Sequence, residues 1–307
     1  MLNKLLQQAW LPLMAFVLCV SCNRSKPEVQ RPSFKQVEGI KFIEVRREFD
    51  TGLSFNENGF QQVPEWTLYF LPGDSVKIYS PFEKRYIFYP IYFDHEQVIN
   101  FAREWLRLIH VSKDSLVLQL LKVQSREVKK DLSKVYMRFY SEGYIQDVLK
   151  ADADSLRRPN SRDTQFIRQL VTRANEHSLL SDSVFAARKP VVFKSKVEAI
   201  KVSKRTTPKD AIDYSAANDY LNPEYDIEIS GAYKDFSNSF TVFVDATGKM
   251  TVGHFAVLEK EFEAPQRKVL QAITDLYLQR YLEIQPGSTL GILHATEVML
   301  HVKGTKE

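Results

Sequence analysis

The chain has almost no cysteine. Its 307 residues include only two, Cys19 and Cys22, and both lie within the first 22 positions. The rest of the chain therefore forms neither a disulfide nor a cysteine-based zinc or iron–sulfur site. If the protein is exported, its stability must come from its core alone.

A strong charge of one sign is also missing. Lysine and arginine number 42 against 38 acidic residues, which gives a formal net charge of +4. That excess is too small to indicate a nucleic-acid-binding protein, which would need a strongly basic face. The hydrophobic content of 44% and the charged content of 26% are those of an ordinary globular chain, and the length predicts one large or two modest domains.

Recognisable catalytic signatures are absent as well. The sequence has no GxSxG, no P-loop and no GxGxxG. Asp94-His95-Glu96 is the cluster most suggestive of catalysis, but adjacent strand residues point to opposite faces, so His95 would face away from Asp94 and Glu96. We therefore interpret it as a polar turn. His254, His294 and His301 lack the spacing of a ligand pair, and only sheet pairing would bring them together. We assign no catalytic residue, metal or cofactor, and a hydrolase with an unrecognised site stays open.

The first 22 residues, MLNKLLQQAWLPLMAFVLCVSC, have the pattern of an export signal. Lys4 supplies the positive start, and residues 10–20 form an apolar run that is short for a membrane-spanning helix. The Ser21-Cys22 ending resembles the lipobox of bacterial lipoproteins. This resemblance implies that residues 1–21 are removed and that an acylated Cys22 anchors the chain in the membrane. The alternatives are an ordinary signal peptide with an incidental cysteine, or an uncleaved single-span anchor.

Two details bear on the lipoprotein reading. Cys19 occupies the position where lipoboxes usually carry Leu, Val or Ile. Residues 22–36 are polar with two prolines, which predicts a flexible tether. In Bacteroidota-type lipoproteins an acidic run after the cysteine marks export to the cell surface, and this tether begins without one. The resemblance therefore implies an outer-membrane location facing the periplasm.

Residues 37–142 are predicted to be β-rich. About eight short aromatic or β-branched segments, separated by turn signals at roughly ten-residue spacing, fit a barrel or sandwich. The succession SKDSLVLQLL and KVYMRFY resembles the closing strands of lipocalin-like domains, which implies an apolar ligand as an alternative function. Aromatic residues crowd this region; the alternative to a pocket is a β core with cross-strand pairs. The candidates for lining such a pocket are Tyr69, Tyr79, Tyr86, Phe88 and Tyr92.

Residues 143–180 are predicted to form a helical connector. Phe166, Ile167, Leu170 and Val171 fall at helical spacing, and Asp163 or Thr164 is the expected start.

Residues 181–307 read as strand VVFKSKVEAIKV, a polar stretch, a hairpin with its turn at residues 246–249, a helix, Pro286-Gly287 and a last strand. The helix is predicted to turn one side inward, with residues Val269, Ile273, Leu276, Tyr277 and Tyr281. In the last strand, one face carries Ala295, Glu297, Met299 and His301, and the other carries Thr296, Val298, Leu300 and Val302.

This order resembles the carboxy-terminal domain of TonB and its relatives. Phe243-Val244-Asp245, Gly248 and Pro286-Gly287 carry the resemblance, although the stretch from Gly231 to Asp245 is longer than the family pattern. The chain lacks the membrane helix and Pro-rich spacer of an energy-transducing TonB. The resemblance implies a small module whose exposed strand edge accepts a partner peptide. The edge candidates are Phe240, Val242, Val244, Val298, Leu300 and Val302.

The sequence thus predicts an α+β protein with a β-rich barrel or sandwich, a helical connector and a carboxy-terminal β-β-α-β domain. We expect a non-enzymatic, lipid-anchored envelope protein that faces the periplasm and binds an envelope protein or peptide. A lipocalin-like carrier and a hydrolase remain the alternatives.

Overall fold

The computed structural model describes residues 31–206 and 217–306. They form a strand-rich α+β protein with two larger sheets, which confirms the predicted fold class at this level. One sheet has nine strands and nearly closes into a barrel, and the other has five strands. No helix in these two ranges is long and apolar enough to cross a membrane.

The barrel is an antiparallel meander. Consecutive strands pair from β1 to β4 and from β5 to β8, β8 pairs with β11, and β11 returns to pair with β1. The two outermost strands, β4 and β5, do not pair and are separated in the chain only by Ile91. A two-stranded hairpin, β9 and β10, projects before the last strand. The strands are β1 (Lys41–Phe49), β2 (Thr67–Leu71), β3 (Ser75–Ser80), β4 (Arg85–Pro90), β5 (Tyr92–Phe93), β6 (Val98–Phe101), β7 (Glu104–Val111), β8 (Ser115–Leu121), β9 (Val123–Gln124), β10 (Glu127–Val128) and β11 (Val135–Ser141).

Large apolar side chains fill the barrel interior. Strands alternate inward and outward residues, so β8 buries Leu116 and Leu118, and β11 buries Met137 and Phe139. The end of the predicted tether also belongs to this core. Phe34 is buried and stacks on Phe70 with 4.0 Å between ring centroids, so the predicted tether does not extend to residue 36.

A helical layer joins the barrel to the second sheet. It contains a π-helical turn (Tyr144–Val148), α1 (Ala153–Leu156) and α2 (Ser161–Glu176). Asn160 caps α2, three residues before the predicted start. The predicted inward residues of α2 pack in a cluster that also contains side chains from the β1–β2 loop and from the region before the last strand. Its buried members are Phe55, Ile167, Leu170, Val171, Ala174, Phe185 and Ala295.

Asp163 of α2 links this helical layer to the barrel through polar contacts. Its carboxylate is fully buried, binds the Arg46 guanidinium at 2.9 Å and accepts the backbone N–H groups of Ser54 and Asn160. Burial would raise the pKa of Asp163, but these hydrogen bonds and the Arg46 charge hold it below its ordinary value.

The second sheet has the order β13-β14-β20-β15-β16, in which β14 and β20 run parallel and the other pairs run antiparallel. A helix covers one face, and the other, called the open face below, is covered only in part, by the segment after α2. Two-stranded pairs β12–β17 and β18–β19 flank this sheet. The elements are β12 (Val192–Ser195), β13 (Ile200–Arg205), α3 (Asn218–Leu221), β14 (Glu224–Ser230), β15 (Phe236–Val244), β16 (Met250–Phe255), a 3₁₀ turn (Lys260–Phe262), α4 (Glu263–Ile273), a π-helical extension (Thr274–Gln279), β17 (Leu282–Gln285), β18 (Ser288–Thr289), β19 (Ile292–Leu293) and β20 (Thr296–Thr305).

The π-helical extension changes which helix residues face the core. Leu270, Ile273 and Leu278 are buried, whereas Val269 and Leu276, both predicted to face inward, are 43% and 60% exposed. Because a π turn shifts the hydrogen-bonding register by one residue, α-helical spacing fails within this extension, where Leu278 is buried and Leu276 is not. Val269 precedes the π segment; within α4 itself its neighbour Leu270 is buried together with Ile273.

The strands predicted to be edges lie inside the sheet. β20 is flanked by β14 and β15, and β15 by β20 and β16. Opposed pairs such as Phe240 with Leu300 and Val242 with Val298 face the helix-covered core. The edge prediction is therefore wrong, because β15 and β20 each have a hydrogen-bonded strand on both sides and leave no free backbone for a partner. The residues concerned are Phe240, Val242, Val244, Val298, Leu300 and Val302.

Candidate functional site

The two true edges of the five-stranded sheet are β16 and β13, and side chains from the helix close the β16 edge. Gln279 Oε1 accepts the Met250 N–H at 2.8 Å, and Gln271 Oε1 accepts the Val252 N–H at 3.0 Å. The Arg267 guanidinium donates to the carbonyl oxygens of Val252 and Gly253, each at 3.0 Å. The outward N–H groups of Met250 and Val252 and the Val252 carbonyl are thus already bonded within the protein.

The β13 edge differs. A hydrogen bond from Ser230 N to Ala199 O fixes the alternation of the β13–β14 ladder. In that alternation Ser203 bonds to β14, while the N–H and C=O groups of Val202 and Lys204 point away from the sheet. Within residues 31–206 and 217–306, nothing pairs with these outward groups. β13 therefore presents an unpaired strand edge.

A break in a segment predicted to be continuous produces this edge. The run VVFKSKVEAIKV was predicted to be one strand, but it splits into β12 and β13. Ser195 makes the break: its hydroxyl donates to the Val197 carbonyl at 2.6 Å and accepts the Val197 N–H at 3.2 Å. β12 then pairs with β17 and leaves β13 without an outer neighbour.

A shallow groove of about 180 Å³ runs beside β13. Tyr225, on β14, forms part of its floor; burial raises the pKa of this phenol to about 12, and its hydroxyl donates to the Val191 carbonyl. Val192 is 49% exposed at the rim. An apolar pocket beside an open strand is what strand-adding partners use for side-chain recognition. The lining residues are Pro190, Val191, Val192, Phe193, Val202, Lys204 and Tyr225.

On the open face, an ion pair ties β13 to the sheet. The Arg205 guanidinium binds both carboxylate oxygens of Asp226 at 2.7 Å, and the Arg205 charge lowers the pKa of that carboxyl. Lys201 and Lys204 are exposed on the same short strand. Lysines on an edge discourage pairing between two copies of the same edge.

A second polar cluster lies on the open face, around Glu297 of β20. Ser181 Oγ donates to Glu297 Oε2 at 2.8 Å, His254 Nδ1 lies 2.9 Å from Oε1, and Thr241 donates to the same Oε1. Burial would raise the pKa of Glu297, but these three hydrogen bonds hold it below its ordinary value. The contact joins the segment after α2 to the sheet.

This cluster contains the residue types of a hydrolase but arranges them differently. In a catalytic triad one imidazole nitrogen faces the serine and the other faces the acid. Here Nδ1 of His254 faces both groups, at 3.5 Å from Ser181 Oγ, while the serine hydroxyl donates to the carboxylate. The imidazole is therefore not placed between serine and acid, and the cluster acts as a carboxylate held by three donors.

The three candidate histidines occupy three separate sites. His254 lies beside Glu297, and His301 lies between Ser239 and Glu224. His294 is fully buried, stacks on Phe185 with 3.9 Å between centroids, and has its pKa lowered by burial to about 4. No group of three metal-ligating side chains occurs in the part of the chain that the structure describes.

The aromatic residues predicted to line a barrel pocket point outward. Phe88 and Tyr92 are more than 60% exposed and Tyr79 is 37% exposed. Tyr86 packs edge-on against Tyr69 and Tyr79 at 5.5 and 5.3 Å. Tyr69, Tyr79 and Tyr86 thus make cross-strand contacts on the barrel exterior, and Phe88 and Tyr92 are exposed there, so these residues do not line an interior pocket. Asp94 and His95 contact each other at 3.2 Å in the exposed turn after β5.

Cys22, the predicted lipidation site, lies outside the residues that the structure describes. Comparison of the sequence with protein-family models finds no matching family, and comparison with curated proteins finds no match.

Proposed function

We propose that this protein is a lipid-anchored, periplasm-facing binding protein whose five-stranded sheet accepts an extended segment of an envelope protein at β13. The observation that carries this proposal is the contrast between the sheet edges: Val202 and Lys204 turn their backbone groups outward without partners among the described residues, whereas the helix covers the β16 edge. Strand addition uses such outward groups for affinity and neighbouring pockets for specificity.

The charges at this edge define the partner. Lys201 and Lys204 disfavour a second copy of the same edge, because like charges would face each other. They favour an extended segment that carries acidic residues and places an apolar side chain in the groove beside Val202. The TonB-like element order of the carboxy-terminal region agrees with a module of this kind.

Site-specific photo-crosslinking tests the location of the partner. A crosslinking amino acid at Lys204 should capture one envelope protein, while the same group at Lys113, exposed in the β7–β8 turn, should not.

The captured protein is then purified, and its affinity is measured for wild type, Val202→Pro and Val202→Thr. Because proline removes the outward N–H, Val202→Pro should weaken binding at least about tenfold, and Val202→Thr should not. Equal affinity for wild type and Val202→Pro would overturn the proposal.

The anchor has its own test. Wild-type protein should fractionate with membranes and gain the mass of acyl groups at Cys22, whereas Cys22→Ala should do neither. If both forms are soluble, the anchor is excluded and the edge proposal still stands.

A further inference from the structure

Two grooves meet at Ser181 on the open face of the five-stranded sheet. The first, of about 670 Å³, extends toward the barrel, and the second, of about 870 Å³, extends toward α4. Both are in the size range of ligand sites. Ser181 is the one described residue that lines both grooves. Its hydrogen bond to Glu297 forms the low ridge, called the saddle below, that separates the two grooves.

The first groove is acidic. Glu224 and Glu297 line it, and none of the described lining residues is basic. Glu224 is already paired with Arg205 and His301. Glu297 Oε2 accepts one hydrogen bond, from Ser181, and a carboxylate oxygen can accept a second. Glu297 is therefore the group available to an incoming cation.

The second groove has the opposite charge. His254, Arg267 and Lys268 line it together with a single acid, Asp182. The Arg267 guanidinium is held by carbonyl oxygens of β16, whereas Lys268 makes no ion pair with any described residue. Lys268 is therefore the group available to an incoming anion.

Both grooves also have apolar walls. Phe185 and Met299 contribute to the first, and Leu179, Leu180 and Phe243 to the second. Leu179 and Leu180 are each more than half exposed. A ligand that fits both grooves has charged ends of opposite sign and apolar groups between them.

We propose that the two grooves together bind a short peptide with free termini, its amino group beside Glu297 and its carboxylate beside Lys268. The peptide crosses the saddle at Ser181, with small side chains against the apolar walls. The two groups assigned to the peptide ends, Glu297 on β20 and Lys268 on α4, do not belong to β13, so this site uses different residues from the strand-addition edge.

Calorimetric titration of the full chain with tri-, tetra- and pentaalanine tests this site. Each peptide is used with free termini, with an acetylated amino end and with an amidated carboxyl end. We expect one of the free peptides to bind and each blocked form to bind at least about fivefold more weakly. Absence of binding at millimolar concentration, or equal binding of free and blocked forms, would overturn the proposal.

Two variants assign the ends of the peptide. Lys268→Ala should weaken binding of the free peptide about fivefold and leave the amidated peptide unchanged. Glu297→Gln should weaken binding of the free peptide about fivefold and leave binding of the acetylated peptide unchanged. Circular dichroism reports whether this variant folds. Lys113→Ala, in a distant exposed turn, is the matched control for Lys268→Ala. If Lys268→Ala and Lys113→Ala bind the free peptide equally well, the carboxylate assignment is wrong, whatever the behaviour of Glu297→Gln.

Discussion

The two edge strands of the five-stranded sheet differ in how their outward backbone groups are covered. At β16 the exposed backbone is bonded by Gln271, Gln279 and Arg267, which project from the helix that packs beside it. At β13 the described residues offer no such cover, and short length and lysines are the protection that remains. The comparison shows that closing a sheet edge needs only a few well-placed side chains, and that their absence at β13 leaves a surface suited to strand addition.

The largest predicted effect comes from two proline substitutions at adjacent residues of β13, which test which N–H groups of this strand point outward. Ser203 donates its N–H to β14, whereas Val202 turns its N–H outward. Ser203→Pro should therefore lower the free energy of unfolding by about 3 kcal/mol, and Val202→Pro should change it by less than about 1 kcal/mol. Chemical denaturation measures both. Equal losses would mean that the backbone alternation at this edge is not as described.

The second prediction removes the cover from β16. Gln271→Ala combined with Gln279→Ala leaves the Met250 and Val252 N–H groups without their partners. Because each lost hydrogen bond is worth about 1 kcal/mol, unfolding should become easier by about 2 kcal/mol. Gln266→Ala, one helical turn earlier and bonded to Asn238 instead of β16, is the control. An unchanged stability of the double variant would show that the glutamines do not protect this edge.

The third prediction concerns partner charge. Lys204→Glu reverses a charge beside the β13 groove and should weaken binding of an acidic partner segment a few-fold, mainly through slower association. Raising the salt concentration should shrink the difference between wild type and variant. A variant that binds more tightly would indicate a basic partner.

The smallest predicted effect is a loss of protection of β13 at low pH. The pKa of Asp226 is lowered by Arg205, so the stabilisation from this pair is present above the ordinary carboxyl pKa and is lost as the pH falls through the lowered value. The amides that cap β16 are uncharged and do not titrate. Acid should therefore lower the amide-exchange protection factors of β13, which are corrected for the intrinsic pH dependence of exchange, more than those of β16. Asp226→Asn should remove this pH dependence, and its persistence in that variant would assign it to another group.

Local sequence signals predicted much of the fold. The hairpin turn at residues 246–249 closes as expected, with Gly248 at a φ of +87° and Asp245 accepting the Lys249 N–H. In β20, the predicted separation of Val298 and Leu300 from Glu297 and Met299 on opposite faces matches the observed burial, whereas Ala295, predicted to share the face of Glu297, precedes the strand and is buried. These features depend on neighbours in the chain, which a sequence displays directly.

The site could not be predicted in the same way, because it depends on strand order. Nothing local distinguishes Val298 in a central strand from Val202 at an edge, since both are β-branched residues in apolar runs. The break at Ser195 and the parallel insertion of β20 beside β14 decide which strand is outermost. Likewise, Ser181, His254 and Glu297 are far apart in the sequence, and only the packing of the segment after α2 on the sheet brings them together.

The most direct test of the central claim is residue-resolved amide hydrogen exchange of the partner-free protein. Val202 and Lys204 of β13 are compared with Met250 and Val252 of β16. The open-edge account predicts that the two β13 amides exchange at least about tenfold faster than the two β16 amides, because only the latter are hydrogen-bonded. Equal protection at all four positions would contradict it, since β13 would then already be covered in the free protein.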